Sequence, residues 1–219
     1  MKIVVTAGPT REHLDPVRFL SNPSTGKMGF VVAAEAAKRG HNVVLVSGPV
    51  SLKTPKGVRR IDVVSARQMC KEVLDAVGSP KDEGERVAVV SVAAVADWRP
   101  AVCASVKLKK HQMSSELKLV RNPDILKKLS SKIARNNGFL KLVGFAAETG
   151  KPVKEAARKC REKKLSFIVA NDVTEPGAGF ASETNKVSFV FPDAHIKDLP
   201  LMTKGKVAKF LINEVERLF

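Results

Sequence analysis

The sequence predicts an α/β protein built on a doubly wound, mostly parallel, Rossmann-like sheet. Apolar runs of strand length alternate along the chain with segments of helical periodicity, which is typical of a parallel sheet covered by helices. The most apolar run, residues 86–93, is predicted to be a central strand, because buried strands show continuous rather than alternating apolar character. A chain of 219 residues accommodates one such sheet in a single domain.

The first half of the chain is predicted to contain four strands and two helices. A long loop separates the first strand from the first helix, which Gly40 ends, and polar residues 78–85 form a surface connection. Ser65 has the side chain of a helix N-cap. In order, the elements are a strand at 3–6, a helix at 26–39, strands at 42–47 and 59–64, a helix from Ser65 to Val77, and the strand at 86–93.

The second half begins with residues 94–115, which fit neither the helical nor the strand period. A long irregular stretch inside a compact domain is usually functional or mobile. Asn122 and Pro123 then favour a helix start, with Asn as the cap and Pro in the first position, and that helix is predicted to end near Arg135. The remaining elements are a strand at 141–146, a helix at 152–164, a strand at 165–170, an edge strand at 186–191 and a closing helix at 203–218.

The charge balance indicates small anionic partners. Lys and Arg number 38 against 22 Asp and Glu, giving a net charge of +16, and such a field attracts polyanions. Aromatic residues make up only 5% and tyrosine is absent, so few side chains could stack on nucleic-acid bases. A cleft for phosphorylated small molecules is therefore favoured over a nucleic-acid surface, although much of the charge is also compatible with a plain solvated surface.

The cysteines and the apolar runs indicate the compartment. Three cysteines without CxxC spacing suggest neither a disulfide framework nor a zinc site, so a reducing setting follows. No apolar run approaches the length of a membrane span, and the N-terminus lacks the pattern of a signal peptide. We expect a cytoplasmic protein that does not enter a membrane.

The first strand–helix connection is a candidate phosphate site. It contains residues 6–10 and, after an insertion, the glycine-containing segment 21–29. In open α/β sheets, ligands bind at the carboxyl ends of strands, and backbone amides at a helix start favour anions. The spacing is neither GxGxxG nor that of a P-loop, so ordinary turn chemistry is an equal alternative.

Three further segments offer charged side chains. Asp97 follows the central strand and could hold a metal-bound phosphate or a ribose hydroxyl, or it is an exposed acid in a packing turn. The run from Lys107 to Lys110 could supply positive charge to phosphates, although lysine runs more often form a solvated face. Lys159 and Lys163 share a helix face, either around an anion or on plain surface.

Taken together and in order, these segments closely resemble bacterial phosphopantothenate–cysteine ligases, also called phosphopantothenoylcysteine synthetases. The resemblance extends from residue 3 to about residue 190, nearly the whole chain. Its motifs are TAGPT at 6–10, DPVRF at 15–19, SN at 21–22, STGKMG at 24–29, AAVAD at 93–97, KLKK at 107–110, NPDIL at 122–126, GFAAET at 144–149, ANDV at 170–173 and GF at 179–180.

The resemblance implies a ligase of coenzyme A biosynthesis that uses Mg²⁺ and CTP. In this family the carboxylate of phosphopantothenate attacks the α-phosphate of CTP, which gives an acyl-cytidylate and pyrophosphate. The amine of cysteine then attacks the acyl carbon and releases CMP. Such a reaction needs positioning and charge compensation rather than a nucleophilic side chain.

The resemblance also implies roles for individual residues. Asn22 would orient the carbonyl of the acyl-nucleotide, and Asp97 would assist the metal–nucleotide. Lys107 would come from a lid that closes over the site of a partner subunit, so residues 94–120 form a lid and dimerisation excursion of a homodimer. The residues that would line the nucleotide pocket are Ser91, Val92, Ala93, Asp97, Asn122, Pro123, Asp124, Ile125, Phe145, Lys159 and Lys163.

The chain departs from the family pattern at one residue and in one feature of its organisation. Pro23 stands where the family usually carries a basic residue that would contact phosphopantothenate. The chain begins at the ligase's first strand, whereas many bacterial relatives carry a flavin-dependent decarboxylase ahead of it, so a stand-alone ligase and an excised domain are both compatible.

Two other function classes fit the sequence less well. A nicotinamide-dependent reductase of the short-chain type would need a Tyr-x-x-x-Lys pair, and this chain has no tyrosine. A basic nucleic-acid-binding domain would concentrate its cations on a docking element, whereas here they are scattered along the chain.

Overall fold

The computed structural model describes residues 1–78, 85–109, 115–133, 139–148, 152–172, 179 and 182–219. Its helices are α1 Lys27–Lys38, α2 Ala66–Val77, α3 Ile125–Ile133, α4 Pro152–Glu162 and α5 Lys204–Glu216. Its strands are β1 Lys2–Ala7, β2 Arg11–His13, β3 Phe19–Ser21, β4 Asn42–Ser47, β5 Val58–Asp62, β6 Val87–Ser91, β7 Trp98–Pro100, β8 Leu119–Arg121, β9 Leu140–Glu148, β10 Phe167–Asp172, β11 Thr184–Asn185, β12 Val187–Val190, β13 Ile196–Asp198 and β14 Met202–Thr203.

An eight-stranded sheet organises the fold, in the order β13-β12-β10-β9-β6-β1-β4-β5. The six strands from β10 to β5 are parallel, and β12 and β13 complete the sheet in antiparallel orientation. Numbered along the chain from the β5 edge, the parallel strands follow the Rossmann order 3-2-1-4-5-6. The predicted fold class is confirmed, and β6 is a central strand as predicted. The order reverses between β1 and β6, where a ligand crevice is expected.

Two apolar layers cover the sheet, one on each face. Alternate side chains of one strand enter different layers, as Ile3 and Val4 on β1 show. On one face α1 and α5 bury residues such as Phe30 and Leu211, and on the other α2, α3 and α4 bury residues such as Met69. Helices on both faces make the sheet doubly wound.

The helix starts follow from local capping. Ser65 Oγ accepts from the Gln68 amide at 3.3 Å, and the Gln68 side chain accepts from the Ser65 amide at 3.0 Å, which completes a capping box. The predicted cap of α2 is confirmed. Gly26 precedes α1 with a positive φ of 78°, and Thr203 caps α5 through the Lys206 amide. The helix predicted at 26–39 therefore starts one residue later and ends one residue earlier.

Two short antiparallel strand pairs were not predicted. The loop between the first strand and helix contains β2 and β3, which pair with each other in antiparallel orientation. The stretch predicted to be irregular, 94–115, contains β7, which pairs with β8. The expectation of no regular structure was therefore wrong for 98–100. These strands have three residues each and β2 packs on β7, so they depend on pairing rather than on a local pattern.

Other boundaries also differ from the predictions. The strand predicted at 186–191 is not an edge strand, because β13 lies outside β12. Asn122 does not cap α3: the helix begins at Ile125, and the Asp124 carboxylate accepts from the Lys127 amide at 3.0 Å. Pro123 therefore precedes the helix. The strand predicted at 59–64 ends at Asp62, while those at 141–146 and 165–170 extend to Glu148 and Asp172.

Some predictions lie outside the described residues. They concern most of the connection at 78–85, the end of the third helix near Arg135, Lys110 of the lysine run, and the motif residues Thr149, Val173 and Phe180. Within the described ranges, none of the helices combines the length and apolar character that crossing a bilayer requires.

Candidate functional site

The site is built where β1 and β6 end side by side. Thr6 is fully buried, and its Oγ1 accepts from the amides of Val92 and Ala93, both at 3.1 Å. The Ala94 amide donates to the carbonyl of Gly8 at 3.0 Å, and Pro9 and Ala94 form an isolated parallel bridge. These bonds hold the loop after β1 against the loop after β6, at the point where the strand order reverses. The two loops, residues 8–9 and 92–94, therefore form one preorganised platform.

The first cavity lies at the start of α1. It is lined by Gly8, by the segment 24–29, and by residues of β9, β10 and the 179–204 region. Gly29 brings the helix against the sheet, since a Cβ there would stand 2.6 Å from the Cβ of Ala7. The first turn of α1 has no acidic residue, so the partial positive charge of its amides is not offset there. The volume of about 70 Å³ is several times the ~10–15 Å³ that one water needs, which suits a phosphate-sized group.

Two lysines add charge to this first cavity. Lys27 opens α1 and forms an ion pair with Glu183. Lys204 is 5% exposed and donates through Nζ to the carbonyl of Ser182 at 2.5 Å. Burial, followed by the nearby charge of Lys27, lowers the pKa of Lys204 below its ordinary value. An anion placed here would meet a helix start and two cations.

The second cavity opens beyond the end of β6 and has a volume of about 440 Å³. Phe145 lines both cavities and therefore lies where they adjoin. Trp98 and Arg121, from β7 and β8, lie at this cavity with the guanidinium carbon 5.2 Å from the indole centroid. The residues predicted for the nucleotide pocket that line it are Ser91, Ala93, Asp97, Asn122, Pro123, Asp124, Ile125, Phe145 and Lys163.

The floor of the second cavity is held by polar bonds. Asn122 Nδ2 donates to the Ala96 carbonyl at 2.8 Å, and its backbone amide donates to the Asp97 carbonyl, also at 2.8 Å. Lys163 Nζ lies 2.8 Å from the Asp124 carboxylate. Burial raises the pKa of Asp124, but the hydrogen bonds from Lys163 and the Lys127 amide outweigh it, so the pKa lies below its ordinary value. Asp124 is therefore a carboxylate already matched with a cation.

Other predicted residues lie outside the second cavity. Val92 lines the first cavity instead. Asn22 is exposed, and its Nδ2 donates to the Ala94 carbonyl at 3.1 Å, which places it beside the platform. Lys159 forms an ion pair with Glu155 at 3.7 Å on α4. Lys107 lines a separate opening together with Arg18, Leu108 and Lys109. The roles predicted for these residues stay predictions.

A magnesium ion would have to be held largely by its nucleotide. Within the described ranges, no group of three or more His, Cys, Asp or Glu side chains could hold a metal ion. Mg²⁺ is commonly bound by one or two carboxylates together with substrate phosphates and waters. Asp97 provides an exposed carboxylate at the second cavity, whereas Lys163 occupies that of Asp124. The donor set thus fits a phosphate-bound Mg²⁺ near Asp97.

Lys204 and Asn185 also line the first cavity, and neither was predicted from the sequence. Both are distant in sequence from the start of α1. One signal was present for Lys204. A lysine in the first turn of a helix is electrostatically unfavourable, so its presence at the start of α5 indicates a compensating role. Asn185 stands in a two-residue strand, where no pattern could have identified it.

Comparison with known proteins shows the family of the chain. Residues 1–218 match the profile of the DNA/pantothenate metabolism flavoprotein C-terminal domain. The chain belongs to this family. A relative described as coenzyme A biosynthesis bifunctional protein CoaBC, from Vibrio vulnificus strain YJ016, is 44% identical over 218 residues, which cover 99% of this chain and 52% of the relative. The chain thus spans about half the length of the curated relatives it matches.

Two solved structures share this fold. The crystal structure of a CoaBC C-terminal domain is 39% identical, with a TM-score of 0.79 over 99% of this chain and 96% of that one. A Cab2 mutant in complex with phosphopantothenate-cysteine is 14% identical, with a TM-score of 0.71 over 99% of this chain and 87% of that one. At that identity the Cab2 likeness concerns the fold alone.

Proposed function

We propose that the chain is a phosphopantothenate–cysteine ligase that activates its acid substrate with CTP. The observation that carries this proposal is the pair of adjoining cavities on either side of Phe145. Both substrates of the activation step carry phosphate, and each cavity contains cationic groups. Membership of the flavoprotein C-terminal domain family, whose relatives include proteins of coenzyme A biosynthesis, supports the same pathway for this chain.

We assign the larger cavity to the nucleotide and the smaller to the phosphate of phosphopantothenate. The second cavity has room for a nucleotide and offers Asp97 for a phosphate-bound Mg²⁺, which would neutralise charge as the α-phosphate is attacked. In the first cavity, Lys27 and the amides at the start of α1 would hold the phosphate group of phosphopantothenate. The two substrates would then meet near the platform between β1 and β6, next to Asn22.

Positioning at the platform accounts for the chemistry. The carboxylate of phosphopantothenate attacks the α-phosphate, and pyrophosphate leaves; the cysteine amine next attacks the acyl carbon, and CMP leaves. An amide nitrogen carries two hydrogens, and the bond from Asn22 to Ala94 uses one of them, so the other can donate to the acyl oxygen.

We further propose that the active form is a homodimer in which Lys107 serves the site of the partner subunit. Lys107 lines an opening with Arg18 and Lys109 rather than either cavity of its own chain, as far as the described residues show. Around it the chain exposes large apolar side chains: Val102 is 80% exposed and Val106 is 69% exposed. Exposed apolar side chains so near Lys107 in the sequence support an interface with a second subunit here.

The test of the ligase proposal is identification of the nucleotide product. The protein is incubated with phosphopantothenate, cysteine, Mg²⁺ and either CTP or ATP. We expect CMP and pyrophosphate in a reaction that depends on both phosphopantothenate and cysteine, since CMP leaves only when the cysteine amine attacks the acyl carbon. Formation of ADP and orthophosphate would contradict nucleotidyl transfer altogether, and AMP formed from ATP in preference to CMP would contradict the assignment of CTP.

The test of the shared site is subunit mixing. Lys107→Ala and Asn22→Ala proteins are each expected to be nearly inactive. If Lys107 serves its partner, a mixed dimer contains one doubly altered site and one intact site, so activity returns on mixing. Absence of activity after confirmed subunit exchange would refute the shared site without touching the ligase assignment.

A salt titration against duplex DNA tests the alternative that the chain is a nucleic-acid-binding domain. A net charge of +16 predicts weak, non-specific binding that disappears steeply as salt is raised. Tight binding at physiological salt would instead support a nucleic-acid-binding role.

A further inference from the structure

The turn between β2 and β3 carries a completely buried acid. Asp15 has no exposed surface, and its carboxylate accepts from the amides of Val17 at 2.9 Å and Arg18 at 2.8 Å. The guanidinium of Arg18 donates to it through Nε at 3.0 Å and Nη2 at 2.5 Å. The hydrogen bond from Arg18 outweighs burial and keeps the pKa of Asp15 well below its usual range, so this buried group is a carboxylate.

The same ion pair reaches across to the loop that carries Lys107. The Leu108 amide donates to Asp15 Oδ2 at 3.2 Å, and the Leu108 carbonyl accepts from Arg18 Nη2 at 2.7 Å. A second attachment lies four residues earlier, where the Ala104 amide donates to the carbonyl of Leu14 at 2.9 Å. Both polar backbone groups of Leu108 are therefore fixed to the turn, directly beside Lys107.

We infer that Asp15 is a positioning residue, which through Arg18 and the backbone of Leu108 fixes where Lys107 presents its ammonium group. This inference rests on the proposed function, in which Lys107 serves the site of the partner subunit. The five hydrogen bonds to the carboxylate include one from a residue 93 positions away, so Asp15 joins the hairpin to the excursion as one unit.

An isosteric replacement separates positioning from packing. The substitution Asp15→Asn would keep the volume of the side chain, but an amide offers one acceptor oxygen and turns two N–H donors toward groups that are themselves donors. It should therefore release Leu108 while the surrounding turn stays filled. A misplacement of about 1 Å can cost roughly 100-fold in turnover, so we expect kcat to fall by about 10- to 100-fold.

The decisive experiment is a double-mutant cycle on CMP formation, with Asp15→Asn, Lys107→Ala and the double variant. If Asp15 acts through Lys107, adding Asp15→Asn to Lys107→Ala lowers kcat by less than about twofold more. Two losses that multiply independently would overturn the inference. Glu12→Gln is the matched control, because Glu12 is also buried and accepts from the Ala66 amide at 2.8 Å; it should lower the melting temperature but leave kcat near the wild-type value.

A second variant covers the case in which Asp15→Asn does not fold. Arg18→Lys keeps a cation for Asp15 but lacks the second arm that reaches the Leu108 carbonyl. It should show the same non-additivity with Lys107→Ala, and independent losses would again overturn the inference.

Hydrogen exchange at the Leu108 amide gives a readout that does not depend on activity. Exchange should be faster in Asp15→Asn, or in Arg18→Lys, than in the wild type, and unchanged exchange in a folded variant overturns the inference. A wild-type protein that forms no CMP overturns the proposed function, while faster exchange would still uphold the attachment of the loop. Normal kcat in Asp15→Asn overturns the positioning role alone.

Discussion

Replacing Gly29 with alanine tests how closely α1 must approach the sheet. An added Cβ would lie 2.6 Å from the Ala7 Cβ and 2.8 Å from the Thr6 carbonyl oxygen. Carbon atoms pack best at about 3.5–4.0 Å, so the helix would have to move by roughly 1 Å. The obstructing atoms belong to fully buried residues of β1 and cannot turn aside.

The expected cost follows from overpacking. Inserting a methyl group into a closely packed contact typically lowers the free energy of unfolding by about 1–3 kcal/mol. Gly205→Ala is the matched control, because it lies in the first turn of α5 and the nearest atom to its added Cβ is 4.0 Å away. Replacing a helical glycine in open space stabilises by ~0.5–1 kcal/mol, and because both glycines lie in a helix this gain cancels, so the two variants should differ by the overpacking cost of about 1–3 kcal/mol.

Urea unfolding at equilibrium measures this difference, and thermal melting checks it, since 1 kcal/mol shifts the midpoint by about 2–4 °C in a chain of this size. Because the start of α1 lines the first cavity, Gly29→Ala should also raise the KM for phosphopantothenate. Equal midpoints for Gly29→Ala and Gly205→Ala would refute the packing argument.

Three further predictions concern the site and the thiols. Asn22→Ala should lower CMP release by about 100- to 1000-fold with an unchanged melting temperature, and a loss of only a few-fold would contradict its role. Asp97→Asn should raise the Mg²⁺ concentration needed for half-maximal CMP formation. An unchanged Mg²⁺ titration would contradict the proposal that Asp97 binds the metal of the nucleotide. Cys103 is exposed whereas Cys70 and Cys160 are buried, and burial raises the pKa of Cys160 to about 11, so a thiol reagent at neutral pH should modify one cysteine in the folded protein and three in urea. Rapid reaction of two thiols in the folded protein would contradict this burial.

The parallel sheet was predictable because its strands are buried on both faces. Runs such as Val43–Val46 are apolar throughout, and burial of alternate residues on opposite faces explains why. The place of the site followed from the same pattern, since loops at the carboxyl ends of neighbouring strands must meet. The nine pocket residues that line one cavity were implied by the family resemblance rather than by this pattern.

The rest depends on contacts between distant parts of the chain. Asn122 and Asp124 are both good helix caps. The side chain of Asn122 instead donates to the Ala96 carbonyl and accepts from Arg99 Nη1, so Asp124 caps the helix. Lys204 reaches the first cavity only because α5 packs against α1. Local periodicity contains no information about either arrangement.

The shared wall at Phe145 has a consequence for inhibitor design. A fragment in the cavity of about 440 Å³ and another in the cavity of about 70 Å³ would be separated by one half-buried ring. Joining them with a short linker that passes this ring would convert the second binding event into an intramolecular one, with an effective concentration in the millimolar range for a short flexible linker. The rotamer of Phe145 would then set the linker length, and Phe145→Leu would relax the requirement.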